Sequence, residues 1–216
     1  MRLIPYVTVL IVAGSSAAWA QPARGLAWAW VTGVTASSDY QFNSAGGTIT
    51  VTNPSTGQYA VNIPNMGTPG GIAQVVAYGG GNHYCNIAFW GQSGTIQQIG
   101  VKCYTAAGIA ADGSFSVLFY KEDRAAAQWS NGYLWANQQS TASYTPSGAY
   151  NYNSKGGSNT VVRISAGRYT ATFPNLAPLP HLGSPMVTAY GSGNTDRCRI
   201  ESWGGGKSEC DRQCRL

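Results

Sequence analysis

The sequence predicts an all-β protein: two tandem antiparallel β-sandwich modules, immunoglobulin-like in packing, behind a signal peptide. Three observations predict it. Apolar side chains recur with a period of two, turn-forming clusters interrupt them about every 8 to 15 residues, and one block of the chain occurs twice. Composition agrees: of 216 residues, 44% are hydrophobic and only 10% charged, and the 28 glycines and 10 prolines follow no Gly-X-Y period. That profile excludes a disordered acidic tail, a coiled coil, a charge-rich helical bundle and collagen, and favours a turn-rich β architecture.

At the N-terminus, Met1 and Arg2 supply a short positive start, Leu3 to Val12 form an apolar run, and Ala18-Trp19-Ala20 closes it in a small-x-small pattern. Residues 1–20 are therefore expected to be a removed secretory signal, because the run is shorter than the roughly 20 residues a bilayer span needs and a cleavage site follows it. No later stretch of about 18 consecutive apolar residues exists, so no membrane span is expected. The chain from Gln21 onward is expected outside the cytoplasm, secreted or periplasmic. All 5 cysteines fall in that part, where disulfides persist.

The internal repeat is the strongest signal. Tyr40-Gln41-Phe42-Asn43-Ser44-Ala45-Gly46-Gly47 returns 110 residues later as Tyr150-Asn151-Tyr152-Asn153-Ser154-Lys155-Gly156-Gly157. Ile63-Pro64-Asn65-Met66 matches Phe173-Pro174-Asn175-Leu176, and Ala77-Tyr78-Gly79 matches Ala189-Tyr190-Gly191. Cys85-Asn86-Ile87 and Trp90-Gly91 return as Cys198-Arg199-Ile200 and Trp203-Gly204. The modules are expected at residues 21–124 and 125–216, each near the usual domain size of ~100 residues.

Within a module the strands show one buried face: Tyr59, Val61 and Ile63 alternate with Ala60 and Asn62, and Phe115, Val117 and Phe119 with Ser116 and Leu118. Ser44-Ala45-Gly46-Gly47, Asn53 to Gly57 and Gly79-Gly80-Gly81-Asn82 are expected turns, the last a hairpin. No helix is expected. Cys85 is expected to pair with Cys103, and Cys198 with Cys214, at roughly 2–4 kcal/mol each. Cys210 is left over, either competing with Cys214 for Cys198 or serving as a thiol for intermolecular pairing. A Cys198, Cys210 and Cys214 metal site lacks paired C-x-x-C spacing and a neighbouring histidine, so no metal is expected.

The first module continues past Cys103 through Ala111-Asp112-Gly113 into the strand Ser114 to Tyr120, whereas the second ends two residues past Cys214. Its last strand is thus expected to be missing. The tail from Gly204 folds differently, or the module offers an open sheet edge to another chain, or the reading frame is truncated.

Chemistry-bearing residues are sparse. The 2 histidines, His83 and His181, occupy positions that do not correspond between modules. His83 near Cys85 resembles a cysteine–histidine pair, but that cysteine is half of the expected disulfide. The acids Asp39, Asp112, Glu122, Asp123, Asp196, Glu201, Glu209 and Asp211 do not recur at equivalent places, so no duplicated carboxylate pair is expected. Gly91-Gln92-Ser93-Gly94 falls one residue short of a nucleophile elbow, and Gly79 to Asn82 lacks the lysine and helix of a phosphate loop. Neither an enzyme nor a cofactor is expected, with an enzyme of unrecognised site as an alternative.

Aromatic residues remain. In secreted sandwiches such rings stack on sugar faces while neighbouring amides and carboxylates bind hydroxyls. Trp90 and Trp203 recur beside cysteines and are expected in the core, as are Trp28 and Trp135, which are matched with each other in a first strand. Trp30 and Trp129 have no counterpart and are the expected ligand-binding residues. Residues 21–124 carry four basic and four acidic side chains and residues 125–216 eight and four, too few for a nucleic-acid surface. Tyr150-Asn151-Tyr152-Asn153-Ser154 and Thr188 to Gly193, with Cys198 and Trp203-Gly204, resemble a tandem-repeat family of small secreted bacterial proteins without assigned activity. The resemblance implies an extracellular β-rich protein and carries over no catalytic residue, and the short second module departs from the complete repeat. The sequence thus points to a secreted non-enzymatic protein binding an extracellular glycan, or to a structural or adhesive one that self-associates through the open edge of its second module.

Overall fold

Strand alternation explains the first half. β1 (Arg24–Thr32) turns Ala27, Ala29 and Val31 inward and Trp28 outward. A computed structural model of the chain describes residues 24–122, 130–176, 183–193 and 195–204. The expected signal peptide, Trp129, His181, Cys210 and Cys214 lie outside them.

After β1 come β2 (Thr35–Asn43), β3 (Thr50–Ser55), β4 (Gln58–Ile63), β5 (Ile72–Ala77), β6 (His83–Ser93), β7 (Ile96–Thr105) and β8 (Phe115–Glu122). They form two antiparallel sheets, β2-β1-β8-β5 and β3-β4-β7-β6. The inward residues of both sheets meet in one core that includes Tyr59, Val61, Ile63, Phe115, Val117 and Phe119, the alternations expected from sequence. Phe115 and Phe119 are 0% exposed, and burial of each ring contributes about 2 kcal/mol or more. A disulfide joins Cys85 and Cys103, which face each other across β6 and β7.

The Gly79 to Asn82 segment is not the hairpin expected. β5 pairs with β8 and β6 with β7, so these residues carry the chain from one sheet to the other. The left-handed backbone of Gly79 (φ 109) makes that reversal without strain.

The second half contains β9 (Gly132–Leu134), β10 (Ser143–Tyr144), a 3-10 turn at Gly148–Tyr150, β11 (Asn151–Asn153), β12 (Thr160–Ser165) and β13 (Arg168–Thr172). These make a second, smaller pair of antiparallel sheets, β11-β9 and β10-β12-β13. Thr160 faces Thr172 and Ser165 faces Arg168 across a bulge, as Thr50 faces Asn62 and Ser55 faces Gln58. In the first half β1 lies between β2 and β8, and β4 between β3 and β7. Among the described residues β9 and β13 sit instead at sheet edges. Residues 183–193 and 195–204 form no strand, but one parallel bridge sets Tyr190 beside Ile87 of β6. Among the described residues, no helix is long and apolar enough to cross a membrane.

Candidate binding surfaces

The turn after β2 and the turn after β11 make the same bonds. Asn43 accepts from the Ala45 N–H at 3.0 Å and donates to the Pro64 carbonyl at 2.9 Å. Asn153 accepts from the Lys155 N–H and donates to the Pro174 carbonyl, both at 2.9 Å. Asn65 (φ 60) and Asn175 (φ 59), one residue past those prolines, are the non-glycine residues with left-handed backbone among those described. Ser44 Oγ accepts from Leu26 N–H, and Ser154 Oγ accepts from Asn131 N–H, each at 3.0 Å. Leu26 and Ser44 are 18 positions apart, Asn131 and Ser154 23.

That longer connection resets the strand alignment. Trp28 faces Phe42 across β1 and β2, and Tyr133 faces Tyr152 across β9 and β11, so Tyr133 takes the place of Trp28. Trp135, matched with Trp28 on sequence, therefore corresponds to Trp30. The ring contacts agree. Trp30 packs edge-on against Tyr40 and Tyr78 at 4.7 and 4.9 Å, and Trp135 against Tyr150 and Tyr190, both at 5.1 Å. These two aromatic triads escaped sequence reasoning because the insertion before Tyr150 hid the equivalence of the two tryptophans.

Trp90 enters the second triad, with ring centroids 5.5 Å from Trp135, 5.6 Å from Tyr150 and 5.0 Å from Tyr190. It packs only partly on the first-half core, and its remaining face joins the two halves. Backbone bonds from Ile87 N to Ala189 O (3.0 Å) and from Gly191 N to Ile87 O (2.9 Å) accompany it. Asn86 Nδ2 donates to Asp196 O at 2.9 Å, Tyr84 Oη to Thr195 O at 2.8 Å, and the Arg197 guanidinium lies 4.1 Å over the Tyr84 ring.

The outward face of β1 and β2 carries three exposed aromatic residues. Trp28, Phe42 and Tyr40 are 38%, 45% and 53% exposed, on two strands held by the sheet behind them. Trp28 is thus a surface residue, where the core was expected. The face turns outward because alternation gives the inward positions of β1 to Ala27, Ala29 and Val31. Trp203, also expected in the core, is exposed, because residues 195–204 form no strand to carry it inward. Trp30 is half-buried at the margin of the face, between Tyr40 and Tyr78. Trp129 lies outside the described residues.

Between the halves lies a cleft of about 690 Å³ lined by Gln74, Leu118, Tyr120, Tyr133, Trp135 and Tyr190, among others. Glu122, buried beside it, accepts from Tyr120 Oη and, at 3.2 Å, from Asn131 Nδ2. Burial pushes the Tyr133 phenol up to about 12, which keeps it neutral. A ring nitrogen of His83 lies 3.1 Å from the Ser114 carbonyl, and His181 lies outside the described residues. Among those residues no three His, Cys, Asp or Glu side chains converge. Cys198 is half-buried, and both its expected partner Cys214 and the competing Cys210 lie outside. No family model, curated protein or solved structure matches the chain.

Proposed function

We propose that the protein is a secreted, non-enzymatic binding protein that takes up an extracellular glycan on the outward face of β1 and β2. One observation carries the reading: Trp28, Phe42 and Tyr40 are all exposed on the outward face of two paired strands. Sugar rings offer apolar C–H faces that stack on aromatics at little entropic cost when the platform is already ordered. Trp30 edges the platform, and Ser38 and Ser116 supply exposed hydroxyls beside it for sugar hydroxyls. The Cys85–Cys103 disulfide supports an oxidising location. Immunoglobulin-like packing is retained for the first half only as two layers face to face, since the order β2-β1-β8-β5 over β3-β4-β7-β6 differs from the ABED over CFG order.

A glycan array probed with the disulfide-intact protein tests this. Binding to one glycan class is expected, with loss in a Trp28→Ala, Phe42→Ala double variant that keeps its circular dichroism spectrum. A folded wild type that binds no glycan overturns it.

A second reading has its own observation. Among the described residues β9 and β13 lie at sheet edges where their first-half counterparts are paired on both sides, so the second half suits a structural or adhesive role that adds a strand from another chain.

A further inference from the structure

The joint between the two halves is a knob in a socket, and the parts of a second such joint are both present. The knob is Trp90, in the run Cys85-x-Ile87-x-x-Trp90-Gly91, and the socket is Trp135, Tyr150 and Tyr190. The second half repeats the knob as Cys198-x-Ile200-x-x-Trp203-Gly204, and Trp203 is 53% exposed. The first half repeats the socket as Trp30, Tyr40 and Tyr78, at ring distances within 0.4 Å of those in the used one. Tyr40 is 53% exposed, whereas its counterpart Tyr150, which touches Trp90, is half-buried.

We propose that the protein associates head to tail with further copies of itself, Trp203 of one copy seating among Trp30, Tyr40 and Tyr78 of the next. This surface differs from the sheet edges of β9 and β13; it shares Tyr40 and Trp30 with the proposed glycan platform but rests on separate observations.

The backbone fits the same step. In the internal joint Ile87 bonds to Ala189 and Gly191 on either side of Tyr190. The equivalent acceptor is Ala77 to Gly79 at the end of β5, among the described residues an edge strand whose Val75 carbonyl already accepts from Thr188 Oγ1 at 3.3 Å. Tyr78 N–H donates to Ser114 O on the β8 side at 3.0 Å, so strand alternation turns the Ala77 carbonyl and Gly79 N–H away from β8. That is the orientation Ile200 of a second copy requires.

Knob and socket are different surfaces, so the contact is heterologous: repeated, it builds an open chain, or a ring where the rotation closes. It is also weaker than the joint it copies. Asn86 and Tyr84, which bond to Asp196 and Thr195 inside the chain, are replaced by Arg199 and Arg197 at the second knob. The joint between copies further lacks the high effective concentration that one chain confers on its own halves.

Sedimentation velocity of the full, disulfide-intact protein over a concentration series is the test. The weight-average sedimentation coefficient is expected to climb with concentration past the dimer value. Trp203→Ala, which keeps only a socket, and Tyr40→Ala, which keeps only a knob, are each expected to stay monomeric while folded. Mixed in equal amounts they are expected to form a dimer that grows no further, a result that a merely structural role of either residue does not produce. A wild type that stays monomeric throughout, or association unchanged by both substitutions, overturns the proposal. Glycan binding that survives Trp203→Ala separates this outcome from failure of the glycan reading.

Discussion

Asp112 shows how much one residue ties together. Its carboxylate accepts from the Gly57 N–H at 2.7 Å, from Asn53 Nδ2 at 3.0 Å and from Tyr59 Oη at 3.2 Å, fastening the β3–β4 turn to the approach to β8. These bonds, that of Gly57 foremost, favour the charged form and hold the carboxyl below its usual range. A carboxyl whose pKa is lower folded than unfolded stabilises above the unfolded value and loses that contribution as pH falls through the folded one. Urea midpoints of the wild type are therefore expected to drop below about pH 4. Asp112→Asn is expected to flatten that part of the profile, and a variant with the wild-type acid slope contradicts the assignment. Sequence placed Asp112 in a turn, Ala111-Asp112-Gly113, and nothing more. Its partners lie more than 50 positions earlier, a distance over which no local rule operates.

Among the elements, the strands with clean alternation were legible. Tyr59, Val61 and Ile63 on β4 and Phe115, Val117 and Phe119 on β8 are buried as their pattern required, because period two maps directly onto the two faces of a strand. The connections were less legible: glycine-rich turns look alike whether they fold a strand back on its neighbour or carry it to the opposite sheet. The cysteines of β6 and β7 were legible as a pair. Their disulfide spans a separation of 18 residues, and Cys85→Ser with Cys103→Ser is expected to lower stability by about 3 kcal/mol on the chain-entropy scale. Guanidinium unfolding measures it. An unchanged midpoint means that the bond between already paired strands restrains little in the unfolded chain.

At the scale of the whole molecule, the two halves are joined by the Trp90 knob and the bonds around Ile87, and also by Gly71 with Ala149 and by Tyr120 and Glu122 with Asn131. Trp90→Ala removes the ring from the socket while leaving β6 paired with β7 and the disulfide in place. Hydrogen exchange is expected to quicken at Tyr133, Tyr152 and Val161 of the second half, by a free energy of about 2–3 kcal/mol, with the β1 and β8 amides unchanged. Equal quickening in both halves would show that the knob belongs to one common core. The joint was invisible in the sequence, where Trp90 read as a core tryptophan beside a cysteine. The rings around it come from positions 135, 150 and 190, and nothing along the chain marks their convergence.

The sequence by itself determined the all-β class, the buried faces of the principal strands, the Cys85–Cys103 bond and the recurrence of the Asn43 and Asn153 turns, because each depends on spacing within or between neighbouring segments. Tertiary structure alone decided that Trp28 faces outward, that Trp30 and not Trp28 corresponds to Trp135, and that Trp90 serves a joint between halves. Those outcomes depend on strand register and on which surfaces meet, and both are set by the sum of many weak packing contacts over the whole chain.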